Sequence, residues 1–66
     1  MDISNDANIF FKKQINNLAR SNAFRLSQIV ACLGKEEMYQ LAFQEMEIAH
    51  KEMAMMRRFM MQLINR

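Results

Sequence analysis

The sequence predicts an all-α protein, an antiparallel helical hairpin that assembles as a dimeric four-helix bundle. The 66 residues include no proline and only one glycine, so the chain has few places to turn. Residues of high helix propensity such as Ala, Leu, Met, Gln and Glu dominate, and they lose little side-chain freedom in a helix. Apolar residues in the second half recur at alternating spacings of three and four, the period of one helix face.

The size of the chain limits its core. Residues 1–66 form a single helical domain, and a domain of this size buries only about 60% of the surface that its unfolded chain exposes. The single cysteine, Cys32, cannot form an intramolecular disulfide, and no group of Cys and His could bind structural zinc. We therefore expect self-association, or docking onto another protein, to supply the remaining burial.

The first helix is expected to begin around residues 4–6, with positions 1–5 frayed. Its apolar row changes position in the middle of the helix. The row comprises Phe11, Ile15 and Leu18, then Ala23, Leu26, Val30 and Leu33. Because Ser21 lies at the change and serine is a good N-cap, we expect the helix to be kinked or split near Ser21.

The turn is expected near Gly34, the only glycine. A left-handed Gly34 would end the first helix without steric strain. Glu36 and Glu37 would then lie in the first turn of the second helix, where carboxylates favour the positive end of the helix dipole.

The second helix is expected from about residue 35 to about residue 65, with two apolar rows. A helix with two such rows normally has two neighbours, which predicts that it contacts both the first helix and a second copy of the chain. The main row is Tyr39, Ala42, Met46, Ala49, Met53, Met56, Met60 and Leu63, and the flanking row is Leu41, Ile48, Met55 and Phe59.

Methionine dominates the C-terminal part of this helix, since six of the eight methionines lie between residues 46 and 61. Met side chains repack against varied surfaces, and Met-rich helices occur both in cores and in adaptable binding grooves. The predicted self-association or partner-binding residues are Tyr39, Ala42, Met46, Ala49, Met53, Met56, Phe59, Met60 and Leu63.

Basic residues gather at the end of the hairpin opposite the turn, although the net charge is only +2. These residues are Lys12, Lys13, Arg57, Arg58 and Arg66. They could contact nucleic acid or an acidic partner. In an antiparallel dimer they could instead face Glu36 and Glu37 of the other copy, and the balanced charge of the second helix favours this alternative. Glu45 and Glu52 are expected to pair with Lys51 or Arg57 of a neighbouring helix.

The functional expectation is a small regulatory or adaptor protein that acts by helix-mediated protein–protein binding, with nucleic-acid binding as the alternative. Catalysis is not expected, because the few Ser, Cys, His and Tyr residues form no pattern of nucleophile and base. Met46, His50 and Met53 share a helix face at spacings that suit Cu(I). Two of them are regular positions of the apolar row, so we predict no metal, cofactor or small-molecule substrate.

The cellular location is expected to be cytoplasmic. The polar, acidic start of the sequence differs from the basic start of a secretory signal. No run approaches the roughly 18 apolar residues of a membrane-spanning helix, so no membrane partner is expected.

Overall fold

Two long helices pack against each other as an antiparallel hairpin, as predicted. The computed structural model describes the backbone of residues 3–65 and the side chains of residues 6–65. Helix α1 is Ile3–Leu33, a 3-10 turn follows at Glu36–Met38, and helix α2 is Tyr39–Ile64. Positions 1, 2 and 66 lie outside the described residues. Of the segment 1–5 that the sequence predicts to be frayed, residues 3–5 belong to α1.

Helix α1 is continuous over 31 residues. The expected split near Ser21 is therefore wrong. Ser21 caps no helix; instead, its hydroxyl donates a hydrogen bond to the Glu52 carboxylate of α2. The change in the apolar row of α1 thus reflects polar residues in the helix interface and not the start of a new helix.

The chain reverses direction at Lys35. Its backbone is extended, with φ −136° and ψ 124°, and the 3-10 turn begins directly after it. The Gly34 amide donates to the Ala31 carbonyl at 3.3 Å and the Lys35 amide to the Cys32 carbonyl at 3.2 Å, which tightens the last turn of α1. Gly34 does not have a positive φ, so the predicted left-handed glycine is wrong.

The interface between the helices follows a three-four spacing on both sides. Opposite α1 lie Met38 of the 3-10 turn and, on α2, Ala42, Glu45, Ala49, Glu52, Met56, Phe59 and Leu63, all buried or half-buried. On α1 the residues that face α2 are Phe11, Ile15, Leu18, Asn22, Arg25, Ile29 and Cys32. The small side chains of Ala42 and Ala49, both buried, let the helices approach closely in the half next to the turn.

Three phenylalanines close the open end of the hairpin. The ring centroids of Phe10 and Phe59 lie 6.2 Å apart, and those of Phe11 and Phe59 lie 5.8 Å apart. The result is a rod of 53 × 16 × 12 Å. Because a two-helix rod has little interior, most of its large apolar side chains keep substantial exposure.

Candidate interaction surfaces

The middle of the helix interface is polar. The Asn22 amide donates to the Ala49 carbonyl at 3.0 Å and to Glu52 Oε1 at 3.3 Å. Arg25 Nε donates to Glu52 Oε1 at 3.1 Å, and Arg25 Nη1 lies 2.5 Å from Glu45 Oε2. With the bond from Ser21, the Glu52 carboxylate accepts hydrogen bonds from three side chains. We call Ser21, Asn22, Arg25, Glu45 and Glu52 the polar cluster.

The polar cluster contains a carboxylate that is almost enclosed, since Glu52 is only 8% exposed. The hydrogen bond from Ser21, together with those from Arg25 and Asn22, lowers the pKa of Glu52 although burial opposes this change. The bonds to Glu52 and Glu45 raise the pKa of the Arg25 guanidinium. Within the hairpin, Glu45 and Glu52 therefore pair with Arg25 of α1. The expected pairing with Lys51 or Arg57 of a neighbouring helix would join two copies of α2, and it stays a prediction.

One long side of the rod presents large apolar side chains from both helices. We call this surface the Met face and define it by Leu26, Leu33, Tyr39, Met46, Met53 and Met60. Each of the six is 41–53% exposed. The four residues from α2 are seven positions apart and so lie in one row. Leu26, Met46 and Met53 line a single shallow groove between the two helices, which shows that both contribute to this surface.

The opposite side of the rod, the Ile face, is apolar only on α2. Leu41, Ile48 and Met55 are exposed there in a row with the same seven-residue spacing. The register of the helices places Gln14, Ser21 and Gln28 of α1 beside this row. The two sides therefore differ in chemistry, because only the Met face is apolar across both helices.

The basic end carries four exposed cations, Lys12, Lys13, Arg57 and Arg58. All ion pairs within the described residues involve Arg25, so these four are not held by a carboxylate of that part of the chain. Successive residues of a helix point about 100° apart. The two members of each adjacent pair, Lys12–Lys13 and Arg57–Arg58, therefore point in different directions, and Arg57 lines a groove with Met53 and Met60. Arg66 lies outside the described residues.

The structure divides the residues that the sequence predicts for binding into two sets. Ala42, Ala49, Met56, Phe59 and Leu63 face α1, whereas Tyr39, Met46, Met53 and Met60 lie on the Met face. Sequence reasoning missed the α1 side of that face as a binding surface. The signal that could have found it is the pair Leu26 and Leu33, which are exposed because Asn22, Arg25, Ile29 and Cys32 occupy the positions that face α2.

The chain matches no protein-family model, and no curated protein or solved structure shows significant similarity to it. Over residues 3–65, neither helix is apolar enough across a sufficient length to cross a membrane. In the same part of the chain, His, Cys, Asp and Glu side chains form no group of three or more that could hold a metal ion.

Proposed function

We propose that this chain is a small non-enzymatic regulatory or adaptor protein that acts by helix-mediated protein–protein binding and self-association. The observation that carries the proposal is the Met face. Scattered exposed apolar residues are ordinary on a protein surface. A row that runs along α2 and is joined by Leu26 and Leu33 of α1 is different, because contiguous apolar patches mark interaction surfaces. Covering the Met face with a second hairpin produces a homodimeric four-helix bundle.

The chemistry of the Met face suits binding to helices. Three of its four α2 residues are methionines, whose flexible thioether side chains adapt to the surface they meet. Complete burial of an exposed Met side chain contributes about 1.5–3 kcal/mol, and because Met46, Met53 and Met60 are 41–47% exposed in the hairpin, roughly half of that contribution remains for an interface. The row Met46–Met53–Met60 can therefore stabilise an association although the interior of a single hairpin is thin.

Paired charge substitutions on the two faces test the proposal. Met46→Glu combined with Met53→Glu should give a monomer in sedimentation equilibrium at tens of micromolar, because association would bury four carboxylates per dimer. The matched control, Ile48→Glu with Met55→Glu, places the same charges on the Ile face and should remain a dimer. Both variants should stay helical by circular dichroism, since all four side chains are exposed in the single hairpin. Unchanged association of the Met46/Met53 variant would contradict the proposal.

The Ile face is the surface that we propose for a second, different protein. It stays exposed when the Met face is covered, and Leu41, Ile48 and Met55 offer a narrow apolar row beside polar α1 residues. This arrangement resembles the anchor pattern by which an amphipathic helix is recognised. An adaptor that joins its own copies through one face and binds a target through the other needs no catalytic groups.

Nucleic-acid binding through Lys12, Lys13, Arg57 and Arg58 is the alternative proposal. It is supported by the absence of ion pairs to these cations within the described residues. The divergence of adjacent cations by about 100° on each helix supports it less, since a phosphate backbone is best followed by cations on one side. A gel-shift assay at low salt should detect DNA or RNA binding that weakens steeply with added salt, and no shift would eliminate the alternative.

A further inference from the structure

The charges of the hairpin are unevenly divided along its long axis. The open half, residues 6–20 and 53–65, carries five basic side chains and one carboxylate. The turn half, residues 21–52, carries three basic side chains and five carboxylates. Each hairpin is therefore a rod that is positive at its open end and negative towards its turn.

We propose that the Met face binds a second copy of this chain in antiparallel orientation, with the turn of each hairpin beside the open end of the other. The inference rests on the proposed function and specifies its partner and geometry. In this arrangement Glu36 and Glu37 of each copy lie near the basic end of the other copy. Charge complementarity of this kind guides association and disfavours other orientations.

The alternative orientation, with both turns at the same end, is opposed by the same charges. It would gather Lys12, Lys13, Arg57 and Arg58 of two copies at one end of the bundle. Ten basic side chains would then accompany two carboxylates in the two open halves. Like charges that face each other across an interface are unfavourable, and apolar contacts alone do not distinguish the two orientations.

The spacing of the Met face fits the antiparallel arrangement. Its α2 row is symmetric about the point between Ala49 and His50, close to the middle of the span from the 3-10 turn to the end of α2. A two-fold axis through that point places Tyr39 of one copy against Met60 of the other, and Met46 against Met53. The apolar rows thus match while the two rods overlap over nearly their full length.

The surface area fits a second copy as well. The accessible surface of the chain is 5334 Å². A compact monomer of 7.9 kDa exposes roughly 4400 Å². The difference of about 900 Å² is close to the roughly 800 Å² that one partner contributes to an interface of standard size.

Cysteine cross-linking tests the orientation. In a Cys32→Ala background, the double variant Tyr39→Cys/Met60→Cys should form a covalent dimer under mild oxidation. The two cysteines are 21 positions apart on one helix, about 32 Å, so they cannot form a disulfide within one chain. Each single variant should stay uncross-linked. The matched control, Leu41→Cys/Gln62→Cys, has the same separation on the Ile face and should also stay uncross-linked.

Each other outcome overturns the inference in a distinguishable way. A dimer by light scattering that cross-links through Met60→Cys alone, or not through the double variant, would refute the antiparallel orientation and leave self-association intact. A monomer at tens of micromolar would refute self-association itself. If Cys32→Ala reduces helicity, the cysteine substitutions are made with Cys32 retained. Its thiol is buried and therefore does not compete for cross-linking.

Salt provides a second test on the unmodified protein. Attraction between unlike ends weakens as ions screen it, so the dimer dissociation constant should rise between 50 mM and 500 mM NaCl. If both turns lay at the same end of the dimer, the dissociation constant would instead fall with added salt, because screening would relieve the repulsion between the two basic ends.

Discussion

Replacing Glu52 with glutamine should destabilise the hairpin, because Glu52 is the acceptor at the centre of the polar cluster. The change keeps the shape of the side chain and removes its charge. A hydrogen bond to a charged group contributes about 1.5–3 kcal/mol, against about 0.5–1.5 kcal/mol for a neutral pair. Glu52 accepts three such bonds, but its neutralisation also removes the unfavourable burial of a charge. We expect a net loss of about 1–2 kcal/mol.

Urea denaturation followed by circular dichroism, at one fixed protein concentration, measures this loss. The control is Glu47→Gln, which changes an exposed carboxylate that forms no ion pair within the described residues and should alter stability by less than about 0.5 kcal/mol. If Glu52→Gln is as stable as the unmodified protein or more stable, the polar cluster does not stabilise the hairpin and the reasoning is wrong.

The unmodified protein and the Glu52→Gln variant should also respond differently to acid. The pKa of Glu52 is lowered in the folded protein below its ordinary value of 4.5. Its contribution is therefore fully present above that value and is lost as the pH falls through the folded pKa. The difference in stability between the unmodified protein and Glu52→Gln should be largest at neutral pH and should shrink below about pH 4.5. A difference that does not change with pH would contradict the assigned role of the charge.

Three other substitutions or reagents test the hairpin itself. Gly34→Ala should be neutral or stabilise the fold by up to about 1 kcal/mol in urea denaturation, because φ is not positive and an added Cβ meets only the Ala31 carbonyl at 3.4 Å. Ala42→Leu should lower stability by about 1–3 kcal/mol in the same assay, since Ala42 is 1% exposed. The Cys32 thiol, buried in the interface, should react with a thiol reagent only as fast as the hairpin opens, a rate that urea should increase.

The arrangement of two helices was predictable because one glycine and a long three-four spacing leave few alternatives. Which residues of the second helix face α1 was harder to predict. The sequence predicts one row through Tyr39, Met46 and Met53, whereas the residues that face α1 at these levels are Met38, Glu45 and Glu52. A shift of one position on a helix moves a side chain by about 100°, and two adjacent apolar rows do not indicate which of them is covered.

The interface on α1 could not be read from hydrophobicity, because its central positions are polar. Asn22 and Arg25 occupy buried or half-buried positions, and their apolar neighbours Leu26 and Val30 are exposed. In this part of α1 the usual expectation that apolar residues mark the buried face is wrong. Polar side chains can occupy the buried face because Glu52 of the other helix accepts their hydrogen bonds. Such a pairing between distant residues cannot be recognised from the spacing of residues in one helix.

The Gly34 turn illustrates a different limit. A glycine between two helices predicts a left-handed residue, yet the reversal occurs through the extended backbone of Lys35. Many residue types can adopt that conformation, so the sequence around the turn does not specify it.

The molar mass of the purified, untagged chain tests the central claim, association through the Met face, most directly. Light scattering during gel filtration at tens of micromolar should give close to twice the 7.9 kDa of one chain. The Met46→Glu/Met53→Glu variant should give the mass of a single chain in the same experiment. A single-chain mass for the unmodified protein would contradict the account, and so would a dimer that the substitutions on the Met face leave intact.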